Sequence, residues 1–502
     1  MSRKQGIIWS YILMFAQIIT SLLFTPYLIR SLGQSEYGVY SLVASITGYF
    51  SLLDLGVGNA IIKYMAKFRV QNDKSSQRKF LGLTLIYYFF VFLIIITIGL
   101  FLGNYLSVIF NKGLNAAELV KARIMFFLTI ANIAVTMLFS GYQKTILAFE
   151  RFKFSKTNDL VFLLIRIIVS TIVLYMGFKG TGVLCVNLCC TIIYSFVAIH
   201  YVHFHIKILP TFKNFDWLLV KEIVGYSTII LVQMIATQLN SMVDQILIGI
   251  FIKSSATILA VYAVGAQIVQ YYQSIAGGIN GILMPGVVKL VENNATTVNI
   301  QREMERIGRL LFIVLGVVWS VFLVNGKEFI YLWAGAVNGE AYYVAIIIML
   351  PTMFYLVQSI GTQLLWAMNR HKIQATIQIS VALFNVFLTY ILIHWNPILG
   401  ATIATALAVL FGDVFALNYV YYKYIGISIK EYYYNLFKGI LKYLLMSIIV
   451  GKLILCIPIK NDIVLFFISS VLMVIVFLGF YLKFGATEFE RNIFKNILKK
   501  IK

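Results

Sequence analysis

"LVFLLIRIIVSTIVLYM", residues 160–176, holds a single charged side chain, Arg166, in an otherwise membrane-grade apolar run. Extended to 157–178, the run is long enough to cross about 30 Å of hydrocarbon at about 1.5 Å per residue. A guanidinium at the centre of a spanning helix costs roughly 2.5–3.5 kcal/mol even on the most lenient insertion scale. The span is therefore predicted to turn one face away from lipid, toward water, another helix or a ligand.

Thirteen further runs of this kind lie outward from it, at 7–30, 37–63, 81–104, 122–147, 180–203, 223–250, 258–284, 307–325, 341–368, 373–394, 398–422, 437–457 and 463–482. With 61% hydrophobic and 12% charged residues among 502, no soluble core could hide this much apolar side chain. The chain reads as an all-α polytopic membrane protein of about fourteen transmembrane helices. Its cysteines, Cys185, Cys189, Cys190 and Cys456, all sit in apolar runs and read as packed thiols rather than a disulfide framework. The first 30 residues lack a small-residue cleavage pattern, so the first helix is expected to be retained.

Numbered from a cytoplasmic N-terminus, and with cations toward span ends counted on the side they adjoin, one side holds 30 of the 41 Lys and Arg residues and the other 8, the remaining 3 being Arg123, Arg166 and Lys442 within spans. This asymmetry across short loops predicts both termini in the cytoplasm of a cell (inner or plasma) membrane. It also explains the net charge of +22 by attraction to anionic membrane lipids, with no need for nucleic acid.

"YGVYSLVASITGYF" (37–50) and "LAVYAVGAQIVQYY" (259–272) align at an offset of 222 residues, matching Val39/Val261, Tyr40/Tyr262 and Tyr49/Tyr271. Both open the second helix of a six-helix half, so the expected organisation is two pseudo-symmetric six-helix lobes of the same orientation. The boundaries are an N-terminal lobe at 1–206, a cytoplasmic connector at 207–222, a C-terminal lobe at 223–422, an appended helix pair at 423–484 and a tail at 485–502. In the tail, Phe489, Ile493, Ile497 and Ile501 share one face among lysines, the pattern of a basic amphipathic helix on the inner leaflet.

Every ionisable group at membrane depth needs a partner or a wet cavity. Asp159 precedes Arg166 by two turns on the same face, about 10 Å away and too far for contact. Arg166 then has either a carboxylate on a neighbouring helix or an anion in an internal cavity. On the seventh span Gln233, Thr237, Asn240 and Asp244 form one polar stripe that should point into the bundle, where interhelical hydrogen bonds or a ligand would use it. The second span ends "LLDLGVGNAIIKY", with Asp54, Asn59 and Lys63, and with Gly56 and Gly58 allowing close approach or local unwinding. Asp413 in "LFGDVFAL" is a further buried carboxylate, structural or functional.

The histidines of "HYVHFHIK" (200–207) lack the spacing and companions of a metal site. There is no P-loop, no nucleotide-binding glycine pattern and no nucleophile with its base, and no cofactor is implied. The segments between spans are too short for an ATP-binding domain. A membrane-embedded polymerase or glycosyltransferase would need a sizeable outer loop, and a scaffold would not need interior charge.

"TPYLIRSLGQSEYGVYSLVASITGYFSLLDLGVGNAIIKYMAKFR" (25–69) resembles the N-terminal signature of the polysaccharide transporter branch of the multidrug/oligosaccharidyl-lipid/polysaccharide (MOP) flippase superfamily, the Wzx-like O-antigen and capsule repeat-unit flippases. "DQILIGIF" (244–251), "VYAVGAQIVQYYQSIAGGINGILMPGVVKL" (261–290), "GKEFIYLWAG" (326–335) and "ILGATIATALAVLFGD" (398–413) resemble its C-terminal half. The resemblance implies a two-lobed, V-shaped carrier that moves a polyprenyl-diphosphate-linked oligosaccharide between leaflets by alternating access and is not an enzyme. Polymerases and glycosyltransferases of surface polysaccharide synthesis would be its functional partners. Arg30 in "IRSLG" matches an arginine of related lipid II flippases. Substrate contacts would then fall to Arg30, Arg166, Lys63, Asn59, Gln233 and Asn240, and H⁺ or Na⁺ coupling to Asp54, Asp159, Asp244 or Asp413. A multidrug cation antiporter of the same superfamily and a lipid II-type flippase are the rival expectations.

Overall fold

The computed structural model describes residues 3–212, 217–292, 296–368, 370–457, 461–492 and 494; within these, the side chains at 3–8, 217–230, 232, 233, 241, 279–292 and 371 lie outside the description. Among the described residues there is no strand. The helices are α1 (Arg3–Leu32), α2 (Gln34–Gly48), α3 (Val57–Val70), α4 (Lys74–Ile109), α5 (Ala116–Leu138), α6 (Ser140–Ala148), α7 (Phe152–Tyr175), α8 (Lys179–Tyr201), α9 (Trp217–Phe251) and α10 (Ala256–Glu292). They continue with α11 (Thr297–Ala334), α12 (Ala341–Val357), α13 (Ser359–Ala367), α14 (His371–Leu392), α15 (Pro397–Ala408), α16 (Leu417–Ile425), α17 (Ile429–Phe437), α18 (Leu441–Leu455) and α19 (Asp462–Phe480).

Among the described residues ten helices are long and apolar enough to cross a membrane, and two bent pairs raise the number to twelve. The other two expected spans are α10, whose side chains from 279 onward lie outside the description, and α18, which is only 15 residues long. Apolar side chains such as Phe89, Phe101 and Ile168 are more than half exposed or close to it, as lipid-facing positions must be.

Local sequence explains where the helices start. Asp73 caps α4, its carboxylate accepting from the Ser76 N–H at 2.9 Å. Asn115 and Glu118 form a reciprocal capping box on α5. Asn396 caps α15 with Pro397 at the first helical position, and Asn461 caps α19. The second span unwinds where the glycines suggested: a 3₁₀ turn over Tyr49–Asp54 ends at Leu55 (φ 49°) and Gly56 (φ 73°), and α3 resumes at Val57. Gly56 supplies the left-handed conformation without a Cβ penalty.

The chain divides into two compact units, Met1–Ala260 and Val261–Lys502. In the first, α3, α4, α6 and α8 enclose a core of Ala60, Ile61, Tyr64, Met65, Phe80, Leu81, Tyr88 and Ile146. Close van der Waals fit holds such a core, since lipid is as apolar as the side chains it would replace. In the second unit α11 packs on α12, α18 and α19.

The internal repeat runs further than the paired motifs suggested. α2 and α10 begin at the same 222-residue offset as those motifs. The broken pair α5/α6 is matched by the broken pair α12/α13, and α7 and α14 begin 219 residues apart, at "AFERFK" (148–153) and "AMNRHK" (367–372). A break inside a span leaves carbonyls unpaired, so its recurrence at one place in both halves marks it as built in.

The described part of the tail does not lie free. Thr487 and Glu490 cap each other, Phe489 is covered by the Arg306 guanidinium at 3.3 Å, and Glu490 is ion-paired with Arg309 of α11 at 2.8 Å. Ile493, Ile497 and Ile501, the rest of the expected amphipathic face, lie outside the described residues.

Candidate functional site

Arg166 sits midway along α7 on a half-buried face, beside the Cys190 thiol of α8 and near Tyr40 of α2. Its Nε is buried and no protein group accepts a hydrogen bond from it. Asp159, two turns earlier, is committed elsewhere: it accepts from the Tyr194 hydroxyl at 2.7 Å and lies 3.4 Å from Lys156. Among the described residues Arg166 belongs to no ion pair. A guanidinium with a buried, unanswered donor is the arrangement an anion completes.

Asp54 closes the 3₁₀ turn of the second span. Its carboxylate accepts from the Tyr88 hydroxyl at 2.7 Å and the Gly58 N–H at 3.3 Å, and its carbonyl accepts from Tyr87 at 3.2 Å. The group thus secures the unwound segment to α4. On α3, Asn59 and Lys63 occupy the exposed face, one turn apart and opposite the buried Ala60, Ile61 and Tyr64. Arg30 is exposed in the last turn of α1.

The polar stripe of α9 lies partly as expected. Asp244 is buried near the Tyr49 hydroxyl, Asn240 is half-buried and Thr237 exposed; the Gln233 side chain lies outside the described residues. The side chains that join α9 to α2 are neighbours that sequence reasoning passed over. Gln245 accepts from Ser41 at 2.6 Å and Ser45 at 2.7 Å, and Gln238 donates to the Gly48 carbonyl at 2.6 Å. Ser41/Ser45 at one-turn spacing opposite Gln238/Gln245 at two-turn spacing was the available signal.

Asp413 lies in the second unit, in a π-helical segment (Val409–Ala416) between α15 and α16. Gln378 of α14 donates to its carboxylate, while Gln358 donates to its carbonyl at 2.7 Å and accepts from Tyr433 at 3.1 Å. The last span break, at Gln358, is held by this knot. No described cation pairs with Asp413.

The repeat relates these contacts. Shifted by 219 residues, Asp159 and Tyr194 fall on Gln378 and Asp413, so a polar contact between the same two helices occurs in both units with donor and acceptor exchanged. The same shift places Arg166 on Asn385, which is buried and accepts from Thr389 at 3.3 Å and Thr405 at 3.4 Å. The scaffold is satisfied by a neutral amide at that position in one half and holds a cation with an unpaired Nε and no described carboxylate partner in the other.

Broken, repeated spans around polar groups at membrane depth define a multi-pass helical membrane protein. A family model described as polysaccharide biosynthesis protein matches residues 4–291, more than half of the chain, and the chain belongs to that family. Its fold is that of the MOP transporters. The lipid II flippase MurJ in an inward closed conformation superposes with a TM-score of 0.69 at 18% identity, over 95% of this chain and 97% of that one. The Vibrio cholerae MATE transporter VcmN gives 0.58 at 15% identity over 86% and 98%, and a MOP superfamily transporter from Pyrococcus furiosus gives 0.57 at 14% over 85% and 97%. No curated protein matches the sequence.

Proposed function

We propose that the protein is a flippase that carries polyprenyl-diphosphate-linked oligosaccharide repeat units from the cytoplasmic to the outer leaflet of the cell membrane by alternating access. It works without chemistry on its substrate and with both termini in the cytoplasm. Membership of a polysaccharide biosynthesis family supports the glycan class, and the Lys/Arg asymmetry supports the orientation. The observation that carries the reading is Arg166, whose planar fork of donors suits diphosphate oxygens and whose buried Nε has no protein acceptor. The prenyl tail stays in lipid while the headgroup takes the polar path.

In this reading Arg30, Lys63, Asn59, Asn240 and Gln233 join Arg166 along the path of the headgroup. The carboxylates for H⁺ or Na⁺ coupling are Asp54, Asp159, Asp244 and Asp413, of which Asp54 and Asp159 also hold tyrosine hydroxyls and Asp413 a glutamine amide. Polymerases and glycosyltransferases of the same polysaccharide act before and after it.

The test is reconstitution into liposomes loaded with a polyprenyl-diphosphate oligosaccharide, with lectin capture reading the fraction that crosses. Protein-dependent crossing that is competed by polyprenyl diphosphate supports the proposal. Efflux of cationic dyes without glycan crossing would replace it with a multidrug antiporter, and crossing of lipid II alone with a peptidoglycan-precursor flippase.

A further inference from the structure

At the end of the second unit remote from the tail lies a pocket of about 700 Å³, within the usual range of small-ligand sites. It is lined by Lys327, Glu328 and Tyr331 of α11, by Glu340 and Tyr343 at the start of α12, and by Asp462 at the start of α19. Its frame is firmly built. Gly335 (φ 89°) turns the chain out of α11, the buried Asn338 donates to the Ala334 carbonyl at 2.8 Å, and Tyr342 donates to the Leu323 carbonyl at 3.0 Å. Asn461 caps α19 and fixes Asp462 in its first turn. The family-like run "GKEFIYLWAG" supplies four of the ten lining residues, and nothing in the transport reading above uses it.

The chemistry of the lining is specific. Tyr331 is 57% exposed and offers a ring face for stacking, and Tyr343, 40% exposed, shares its ring with a neighbouring cation. Lys327 stands 5.2 Å from the centre of the Tyr343 ring and 5.6 Å from that of Tyr342, a cation–π arrangement that occupies the ammonium. Glu328 lines the pocket with a carboxylate whose Oε2 has no hydrogen-bond donor within the protein, so the group is not saturated by its neighbours. Among the described residues no three ligating side chains converge on a point, which speaks against a metal ion. Aromatic faces beside hydrogen-bond acceptors match a sugar ring, with C–H groups on its face and hydroxyl donors on its edge. Three carboxylates against one ammonium favour neutral or amino sugars and disfavour uronic acids.

We propose that this pocket is a saccharide-binding subsite on the outer face of the protein. The side follows from α11, which carries Arg302, Arg306 and Arg309 toward its start and the pocket toward its end, 18 residues or about 27 Å beyond Arg309. The glycan it takes is that of a lipid-linked oligosaccharide arriving at the outer leaflet, and that source rests on the proposed flippase activity.

The experiment uses the full chain in lipid nanodiscs and saturation-transfer NMR with three probes: N,N′-diacetylchitobiose, chitobiose and digalacturonate. Transfer to the first two and not to digalacturonate is expected, falling at least fivefold in Tyr331→Ala and in Glu328→Gln and persisting in Arg166→Gln. Tyr331→Ala removes an exposed ring, so its fold is not at stake. Absence of transfer from every probe, equal transfer to digalacturonate, or unchanged transfer in Tyr331→Ala overturns the subsite. Saccharide binding with no glycan crossing in liposomes would leave the subsite standing and remove the flippase reading; crossing without binding would do the reverse.

Discussion

Replacing Arg166 separates a ligand-binding charge from a structural one, because the two roles move stability in opposite directions. The buried Nε has no acceptor, and no carboxylate neutralises the group among the described residues. If a diphosphate supplies the acceptors, Arg166→Gln removes a charged hydrogen bond worth about 1.5–3 kcal/mol, or about 10- to 150-fold in apparent affinity. Arg166→Lys keeps the charge but not the planar fork and is expected to fall between Gln and wild type. Arg166→Met should raise the thermal midpoint of the ligand-free protein, since it relieves about 1 kcal/mol or more of uncompensated desolvation, while crossing of lipid-linked glycan is lost. The assay pairs glycan crossing in liposomes with thermal unfolding of the same preparations. A Gln variant within twofold of wild type, or a Met variant that melts below it, would refute the reasoning.

Arg309→Met and Glu490→Gln each strand one member of a buried pair and are expected to cost about 3–5 kcal/mol in unfolding of the second unit, while the double replacement Arg309→Met/Glu490→Leu recovers much of the loss; thermal melts of the three variants check this. Glu490 also sets an acid limit. Burial pushes its pKa up, but the Arg309 and Tyr481 hydrogen bonds and the Thr487 N–H outweigh that and hold it below its ordinary 4.5. Its contribution is therefore complete above about pH 4.5 and lost as pH falls through the lower folded value, so midpoints at pH 7 and 5.5 should agree and then drop, with a shallower drop in Glu490→Gln. Gly38→Ala would set a Cβ 1.7 Å from the Ala256 carbonyl oxygen, a backbone atom that cannot swing away, and the overpacking should cost about 1–3 kcal/mol or more, read as a lowered melting midpoint and reduced yield.

The spans were legible because a membrane helix is declared by some twenty consecutive apolar residues, and among the described residues ten to twelve of the fourteen expected runs fall on helices or bent pairs long and apolar enough to cross. Their interruptions were less so. Gly56 announced the break in the second span, whereas the bend in the pair α12/α13 falls at Gln358 and not at Pro351, which stays inside α12. Proline removes one hydrogen bond that a bundle can replace; a glutamine tied to Asp413 and Tyr433 fixes a break through contacts distant in sequence. The α9 stripe shows the same limit. Periodicity identified a polar helix, but whether Asp244 or Gln245 met α2 depended on a helical rotation of about 100° that only packing decides.

The repeat turns Arg166 from an oddity into evidence. Two halves that keep the same broken helix, and the same α7/α8-type polar contact with its donor and acceptor exchanged, have stayed under the same geometric demands. Had those demands included a polar group at the middle of the fifth helix only for packing, an amide would serve in both halves, as Asn385 does with two threonine hydroxyls for company. The first half instead holds a cation whose buried Nε has no acceptor and which no described carboxylate neutralises. A neutral solution exists in the same scaffold, so the charge is a cost that stability does not require, and an anionic cargo is the physical reason for keeping it.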